Sequence, residues 1–201
     1  MKKISTLLFD LGNVLAYIDF DAFWRSLGFL NAIDKAPFVQ GYKELTLQYE
    51  TGFISTNEYL NGLKSVFGNR FDRERLEQAF VSIMLEPVGG MIELVKQVSR
   101  TRRTALVSNT NEIHYRISLQ KFEVLSVLHK HYLSYKMRVM KPAQGFYDAI
   151  IKDQKIDPSE ILFIDDLIKN VKGAQAAGMQ AVKFENLWQL EKALITFGIL
   201  P

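Results

Sequence analysis

Short apolar runs alternate with helical segments along most of this sequence. The runs span residues 4–9, 104–107, 161–164 and 180–183, with a weaker run at 132–134. None of them alternates between polar and apolar residues, which is typical of central parallel strands buried on both faces. Helical patterns cover residues 91–98, 146–152 and 168–177. The alternation predicts an α/β fold, a doubly wound parallel sheet with right-handed crossovers.

Residues 16–88 interrupt this alternation, and no convincing strand is visible among them. They carry helix-start signals instead: Asp21 before an apolar segment, a capping box from Ser55 to Glu58, and Asp72 before residues 73–83. The sequence therefore predicts an all-helical cap domain at 16–88, inserted into an α/β core domain of residues 1–15 and 89–201. The aromatic residues of this insertion are expected to form its own core rather than a cofactor site.

Composition argues against several classes of protein. The 201 residues carry a formal net charge of +3, with acidic and basic residues interspersed. The densest basic cluster, Arg100, Arg102 and Arg103, lacks aromatic neighbours and is interpreted as a solvated turn, not a nucleic-acid site. No apolar segment approaches the ~20 residues of a membrane span. Cysteine is absent, which excludes disulfides and cysteine-based zinc sites and fits a cytoplasmic protein.

Polar residues gather where the predicted strands end. Asp10, Ser108, Asn109, Asp165 and Asp166 follow predicted strands, and Lys141 precedes the helix predicted at 146–152. Ligands of open α/β sheets bind beyond the carboxyl ends of the strands, so these side chains are expected at one edge of the sheet. Each piece has an ordinary alternative: the acidic pair could cap the next helix, and the Ser-Asn pair could form a turn. Their ordered combination is what indicates a site.

The combination suits phosphoryl transfer. Three carboxylates from two strands form a hard oxygen site suited to Mg²⁺, which would neutralise a phosphate beside them. Ser108 and nearby backbone amides can donate to phosphate oxygens, and Lys141 supplies a compact positive charge. Asp10 is then free to attack phosphorus and form an aspartyl phosphate that water hydrolyses. The three histidines show no metal-site spacing with the carboxylates and are expected on the surface or on a helix face.

The motifs resemble those of the haloacid dehalogenase-like (HAD) superfamily. Its four motifs match, in order, LLFDLGNV at residues 7–14, VSNT at 107–110, KP at 141–142 and FIDD at 163–166. The resemblance covers nearly the whole chain, and the insertion matches the superfamily's small α-helical cap. The phrases FDLGNVL, LVSNTN and FIDDLIKNVKGA are most similar to the branch of sugar-phosphate phosphatases such as α-glucose-1-phosphate phosphatase.

The resemblance implies a metal-binding role for four residues. Asp10 resembles the superfamily's nucleophile, which is also a Mg²⁺ ligand. Gly12 would lend its backbone carbonyl to the metal, since that contact needs no side chain. Asp166 resembles the direct acidic ligand, Asp165 resembles a direct or water-mediated one, and Asn170 would support the metal loop.

The resemblance also implies a phosphate clamp of Ser108, Asn109 and Lys141. A helical cap over the site would exclude water and select a small phosphorylated metabolite. The candidate cap contacts, in no order of preference, are Tyr42, Tyr49 and Glu50.

One position departs from the superfamily's pattern. Gly12 stands where its phosphatases carry a second aspartate, which protonates the leaving oxygen and then activates water. Such acid–base help is typically worth ~10²–10⁴-fold in rate, while positioning and metal electrostatics remain without it. The chain is therefore predicted to be a slower or more selective phosphatase. Asp19 is one candidate substitute for the missing group, and the alternative is that it caps a helix.

Other functions are weighed against this one. The chain could bind a phosphorylated ligand or partner with little or no turnover. Metal-free attack on carbon, as in the dehalogenases proper, is disfavoured by the acidic pair expected beside Asp10. A response-regulator receiver domain is disfavoured because its acidic pair comes first in the chain, whereas here it comes last.

Overall fold

A computed structural model describes residues 3–201 of the chain. The strands are β1 (Thr6–Phe9), β2 (Ala16–Ile18), β3 (Met84–Pro87), β4 (Arg103–Ser108), β5 (Lys130–Leu133), β6 (Ile161–Asp165) and β7 (Gln180–Lys183). The helices are α1 (Phe20–Ser26), α2 (Ala32–Glu50), α3 (Thr56–Val66), α4 (Arg73–Val81), α5 (Met91–Ser99), α6 (Glu112–Lys121), α7 (Val124–Val127), α8 (Ser134–Met137), α9 (Gln144–Gln154), α10 (Ile168–Ala176) and α11 (Leu187–Thr196). A 3₁₀ turn covers Pro158–Glu160.

Five strands form one parallel sheet in the order β5-β4-β1-β6-β7. The central strand β1 pairs with β4 and β6, so that Phe9 lies level with Leu106 and Ile164. This confirms the α/β class and the five predicted strands, whose ends differ slightly from the predicted bounds. Because the strands run in the same direction, the residues that follow β1, β4 and β6 meet at one edge of the sheet.

Both faces of the sheet are covered by helices. Leu7 and Phe9 of β1 enter a buried cluster with residues of α5 and α11. Leu8, between them, enters a second cluster on the opposite face with residues of α9 and α10. Alternate side chains of one strand therefore enter two different cores, which explains why the strand sequences are continuously apolar.

The insertion, defined here as residues 16–88, is not all-helical as predicted. Strands β2 and β3 at its two ends pair in antiparallel fashion, with Ala16 opposite Pro87 and Ile18 opposite Met84. Helices α1 to α4 lie between these strands in the chain. Strands of three or four residues are too short to show a period of two, and a proline argues against a strand in sequence, so the prediction missed them.

Two of the predicted helix starts are confirmed, and one is shifted. Ser55 and Glu58 form the capping box of α3, and Asp72 caps α4. Helix α1 begins earlier than predicted, because its N-cap is Asp19, which accepts a hydrogen bond from the backbone N–H of Asp21 at 2.9 Å. The cap position is thus filled by a residue that the sequence also offered as a catalytic candidate.

Aromatic packing holds the insertion together. The ring of Phe23 stacks on that of Tyr42 with 4.6 Å between centroids, and Tyr49 stacks on Tyr59 at 4.4 Å. All four belong to one buried cluster, which confirms that these aromatic residues form the insertion's own core. Ile113 of α6 joins the cluster and links the insertion to the core. Among residues 3–201, no helix is both long and apolar enough to cross a membrane.

Candidate active site

Lys141 joins two carboxylates at the carboxyl ends of neighbouring strands. Its ammonium lies 2.8 Å from Asp10 Oδ1, just after β1, and 2.7 Å from Asp165 Oδ2, the last residue of β6. It also donates to the backbone oxygen of Val107 in β4 at 2.9 Å. Three partners use all three of its hydrogens. Burial by itself lowers the pKa of Lys141, but the two carboxylates outweigh that effect and raise it, so the side chain is cationic.

Asp10 has one oxygen held and one oxygen free. Its Oδ1 accepts from the backbone N–H of Leu11 at 2.7 Å as well as from Lys141. Its Oδ2 makes no hydrogen bond within residues 3–201. Burial raises the pKa of this carboxyl, and the charge of Lys141 opposes the rise. The arrangement fixes the carboxyl plane while leaving one oxygen able to react or to bind a cation.

Asp165 is fully buried, and both of its oxygens are already hydrogen-bonded. Asn170 donates to them at 2.9 and 3.1 Å, and the backbone N–H of Leu167 donates to Oδ1 at 2.9 Å. With Lys141 on Oδ2, little lone-pair capacity remains for another ligand. Asn170 was predicted to support the metal loop, and the structure places it in direct contact with that loop.

Asp166 is more open than its neighbour. It is half-buried, and Asn13 donates to its Oδ2 at 3.3 Å. Burial raises the pKa of Asp166, and the Asn13 contact opposes the rise. Asn13 has a positive φ of 55°, which turns the chain after β1 and directs its side chain toward Asp166. Sequence reasoning missed Asn13, although an asparagine in a tight turn is a common occupant of this conformation.

The three carboxylates suit a divalent cation. Asp10, Asp165 and Asp166 each offer an oxygen, and these oxygens lie within 4.8 Å of one another. Three carboxylates and the one ammonium of Lys141 leave a formal excess of two negative charges when all are ionised. A hard, all-oxygen donor set with that charge is the kind that Mg²⁺ prefers. The three predicted carboxylate ligands are thus brought together, and Gly12 lies two residues after Asp10 in the chain.

Residues with unused donors border a small pocket beyond the ends of β1 and β4. The strand-end pocket, about 40 Å³, is bordered by Gly12, Ser108, Asn109, Glu50 and His114 among others. The hydroxyl of Ser108 makes no hydrogen bond within residues 3–201, and neither backbone N–H of Gly12 or Asn109 has a backbone acceptor there. Three unpaired donors facing one space can receive the oxygens of an anion.

Asn109 is placed differently from the predicted clamp residue. Its side-chain amide donates to the backbone oxygen of Lys141 at 2.9 Å, and its side-chain oxygen accepts from the backbone N–H of Lys141 at 2.8 Å. The side chain therefore ties the loop of Lys141 to the end of β4. Its backbone N–H, and not its side chain, is the group left for a ligand.

Ile18 occupies the space beside Gly12. A Cβ atom added to Gly12 would lie 2.8 Å from Ile18 Cδ1 and 3.5 Å from its Cγ1. Gly12 does not have a positive φ, so its backbone would accept a side chain. The obstacle to an aspartate here is a flexible aliphatic side chain from β2, not backbone strain.

Asp19, the candidate substitute, is engaged elsewhere. It caps α1 and forms an ion pair with Arg25 at 2.5 Å. The hydrogen bond from Arg25 lowers the pKa of Asp19, so it carries no proton near neutral pH. It does not border the strand-end pocket.

His114 lies on a helix face, that of α6, but it is buried and not at the surface. Its ring stacks on Phe80 with 4.0 Å between centroids, and its Nε2 lies 2.9 Å from the backbone oxygen of Phe80. Nε2 must therefore donate, and Nδ1 faces the side-chain amide of Asn111 at 3.2 Å. Burial lowers the pKa of His114 to about 4, so the ring is neutral. No pattern in the sequence distinguishes this histidine from an exposed one.

A larger cavity lies inside the insertion, next to the strand-end pocket. This insertion cavity, about 540 Å³, is bordered by Trp24, Tyr42, Thr46, Glu50 and Phe80 among others. Of the predicted cap contacts, Tyr42 and Glu50 border it, whereas the hydroxyl of Tyr49 is bonded to Thr56 and to the N–H of Ile113. A still larger depression, about 1000 Å³, lies at the opposite end of the sheet around Ser5 and Arg103, away from every carboxylate described above.

The chain is similar in sequence to known enzymes that include a phosphatase and a flavin mononucleotide hydrolase. A family model described as haloacid dehalogenase-like hydrolase matches residues 4–178. D-ribitol-5-phosphate phosphatase of Bacteroides thetaiotaomicron is 26% identical over 202 residues, which cover 96% of this chain and 98% of that protein. Flavin mononucleotide hydrolase 1 of Arabidopsis thaliana is 27% identical over 199 residues, which cover 98% of this chain and 79% of that protein.

Solved structures share the same architecture. An HAD family enzyme of Bacteroides thetaiotaomicron superposes with a TM-score of 0.83 at 30% identity, over 92% of this chain and 95% of that one. A second structure of that enzyme, in complex with magnesium and inorganic phosphate, gives a TM-score of 0.79 at 28% identity, over 91% and 95%.

Proposed function

We infer that this chain, which belongs to the haloacid dehalogenase-like hydrolase family, is a Mg²⁺-binding phosphatase of small phosphorylated metabolites. Its proposed substrate is a polyol or sugar phosphate whose phosphorus is attacked by Asp10. The observation that carries the proposal is the free Oδ2 of Asp10, held beside Lys141 and the acidic pair. Attack by this oxygen forms an aspartyl phosphate, which water then hydrolyses.

The metal would be held mainly by Asp10 and Asp166. Both carboxylates keep lone pairs that no strong hydrogen bond uses, whereas the oxygens of Asp165 are taken by Lys141, Asn170 and Leu167. We assign Asp165 to a water-mediated contact and Gly12 to a contact through its backbone carbonyl. The bound Mg²⁺ supplies positive charge that neutralises the phosphate and draws it against a carboxylate.

Ser108, Gly12 and Asn109 bind the phosphate, and Lys141 positions the nucleophile beside it. The Ser108 hydroxyl and the backbone N–H groups of Gly12 and Asn109 donate to the phosphoryl oxygens. Lys141 acts chiefly on Asp10, because its three hydrogens are already directed at protein oxygens. Its fixed charge opposes the rise in the pKa of Asp10 that burial causes, and it lies close enough to offset the charge that builds on phosphorus.

The adjoining cavities support a small, partly polar leaving group. The strand-end pocket and the insertion cavity share Phe20, Glu50, Ile83 and His114 in their walls, so a phosphate held at the strand ends has its leaving group directed into the insertion. The relatives act on a polyol phosphate and on flavin mononucleotide, and the motif phrases are most similar to enzymes acting on glucose 1-phosphate. In a wall that is otherwise mainly apolar, the Glu50 carboxyl is a group that a hydroxyl of the leaving group can bond.

The test is phosphate release from a defined panel in Mg²⁺. We expect ribitol 5-phosphate and glucose 1-phosphate to be hydrolysed faster than flavin mononucleotide, with activity lost in EDTA. Asp10→Asn should reduce turnover by at least ~10³-fold, because the nucleophile is removed. Asp148→Asn, on the exposed face of α9, is the matched control and should keep full activity.

Each contrary result has a distinct meaning. Faster release from flavin mononucleotide would replace the substrate class while leaving the mechanism intact. Binding of phosphorylated compounds without phosphate release from any of them would mean that the chain binds such ligands without turning them over.

A further inference from the structure

Glu50 is held at the border between the insertion and the edge of the sheet. It is the last residue of α2, and its backbone oxygen accepts a hydrogen bond from the hydroxyl of Ser134 at 2.6 Å. The same hydroxyl accepts from the backbone N–H of Thr110 at 2.9 Å, two residues after Ser108. One serine thus fixes the end of α2 against the loop that carries the phosphate donors.

The side chain of Glu50 faces the space that a leaving group would fill. It borders both the strand-end pocket, with Gly12 and Ser108, and the insertion cavity. It is only partly exposed, and its carboxyl forms no hydrogen bond or ion pair within residues 3–201. An enclosed carboxyl without a partner is costly to keep unless it has a function.

The other titratable groups around these cavities are engaged or unsuited to give up a proton. Both ring nitrogens of His114 have partners, and its pKa is depressed to about 4 by burial. Asp21 is paired with Lys35 at 2.6 Å. Burial raises the pKa of Tyr42 above its usual range. The remaining charged group in the wall, Lys43, is on the exposed side of α2.

The protonation of Glu50 fits a proton donor at neutral pH. Burial raises its pKa to about 7, and no charged neighbour contributes to the shift. A general acid is most effective when its pKa lies near the working pH, because it is then largely protonated and still acidic enough to transfer the proton.

We propose that Glu50 protonates the leaving oxygen of the substrate and then activates the water that hydrolyses the aspartyl phosphate, the two tasks for which position 12 has no side chain. In the first step Asp10 Oδ2 bonds to phosphorus, the ester P–O bond breaks, and the proton of Glu50 passes to the departing alkoxide. In the second step the Glu50 carboxylate takes a proton from water, the water oxygen bonds to phosphorus, and the bond to Asp10 breaks. Inorganic phosphate leaves, and both carboxyl groups regain their starting states. This assignment rests on the proposed phosphatase function.

Glu50→Gln tests the first step through the leaving group. Ribitol 5-phosphate releases a basic alkoxide and needs the proton, whereas p-nitrophenyl phosphate releases a stable phenolate and does not. We expect kcat/KM for ribitol 5-phosphate to fall by ~10²–10⁴-fold, with kcat/KM for p-nitrophenyl phosphate nearly unchanged. The wild-type value for ribitol 5-phosphate should also decline above about pH 7, and the variant should lose that dependence. Glu44→Gln, an exposed residue on the same helix, is the control and should match the wild type.

Stability measurements check the proton independently of turnover. Because the folded-state pKa of Glu50 is raised from 4.5 to about 7, the stability it contributes is fully present below 4.5 and is lost as the pH rises through 7. Urea unfolding should therefore show the wild type losing stability relative to Glu50→Gln across this window. A constant difference would mean that Glu50 is already ionised and has no proton to give, which overturns the proposal.

The kinetic results separate this proposal from the function on which it rests. Equal losses on both substrates, or no loss on either, would overturn the role of Glu50 while the phosphatase stands. A wild type that releases phosphate from neither compound in Mg²⁺ would overturn the proposed function and the role of Glu50 with it.

Discussion

The edge of the sheet and the interior of the insertion are held in place by different kinds of contact. At the sheet edge, Lys141, Asp165 and Asn109 use nearly all of their polar atoms on one another and on the backbone. In the insertion, aromatic rings pack around a cavity, and the Glu50 carboxyl in its wall has no partner in the described part of the chain. Hydrogen bonds and ion pairs therefore order the sheet edge, whereas packing of aromatic rings orders the insertion.

This difference separates two parts of the chemistry. The bonds from Lys141 and from the backbone N–H of Leu11 fix the nucleophile in a narrow geometry, and any change there affects every substrate alike. Aromatic contacts are less directional, so the insertion cavity can change its walls without disturbing the nucleophile. The sheet edge therefore binds the phosphate in a fixed geometry, and the insertion cavity selects the leaving group.

The largest effect is expected from Lys141→Met, which removes the cation from the sheet edge. Two buried carboxylates lose their partner, and breaking a buried ion pair in this way costs about 3–5 kcal/mol of the free energy of unfolding. Urea unfolding without Mg²⁺ measures the loss, and turnover should fall by at least ~10²-fold. Lys130→Met breaks the exposed pair with Asp153 and, as the control, should cost at most about 1 kcal/mol. Similar losses in the two variants would mean that the buried bonds of the sheet edge stabilise the fold no more than an exposed ion pair does.

An intermediate effect is expected from moving the acid to the other region. Gly12→Asp combined with Ile18→Ala places a carboxyl at the sheet edge and removes the side chain that lies 2.8 Å from the new Cβ. In a Glu50→Gln background, this pair should restore hydrolysis of ribitol 5-phosphate by up to ~10²-fold. Turnover of that substrate is the measurement, with Ile18→Ala in the same background as control. If the added carboxyl restores nothing while Mg²⁺ still binds, position 12 does not reach the leaving oxygen in this chain.

The smallest effect is expected from Asp19→Asn. Asparagine also caps helices, and Asp19 faces Arg25 rather than the strand-end pocket, so kcat/KM should stay within ~2-fold of the wild type. The bond from Arg25 lowers the pKa of Asp19, so its contribution to stability is present above its unfolded value of 3.8 and is lost as the pH falls below it. Urea midpoints at neutral and acidic pH check this sign. A rate loss above ~10-fold would return Asp19 to the mechanism.

The sheet and its edge were predictable because their signals are local. Each strand is a continuous apolar run, and Asp10, Ser108 and Asp165 stand at the ends of three of these strands. Parallel topology alone therefore brings the three side chains together. The bonding within the edge was not predictable. Asn109 and Lys141 were expected to face phosphate, and only coordinates show their polar atoms already used by the protein.

The insertion was harder to predict for physical reasons. Strands β2 and β3 are too short to show a period, and the long helix α2 contains Pro37, which argues against a helix. The burial of His114 depends on its stacking against Phe80, 34 residues away in the chain. Glu50 was one of three unranked contacts, because an unpartnered carboxyl can be recognised only when all its neighbours are known.

The contact between Ile18 and position 12 makes substitutions at these two positions depend on each other. That dependence bears on how phosphatase sites of this kind diversify. An aspartate added at position 12 by itself meets Ile18, and shortening Ile18 by itself removes its contacts with two hydrophobic clusters. A paired-aspartate site therefore needs the Ile18 side chain to shift or to be shortened as the aspartate is added. This epistasis gives a steric reason for a chain with glycine at position 12 to keep it, and for its acid–base chemistry to settle in the insertion instead.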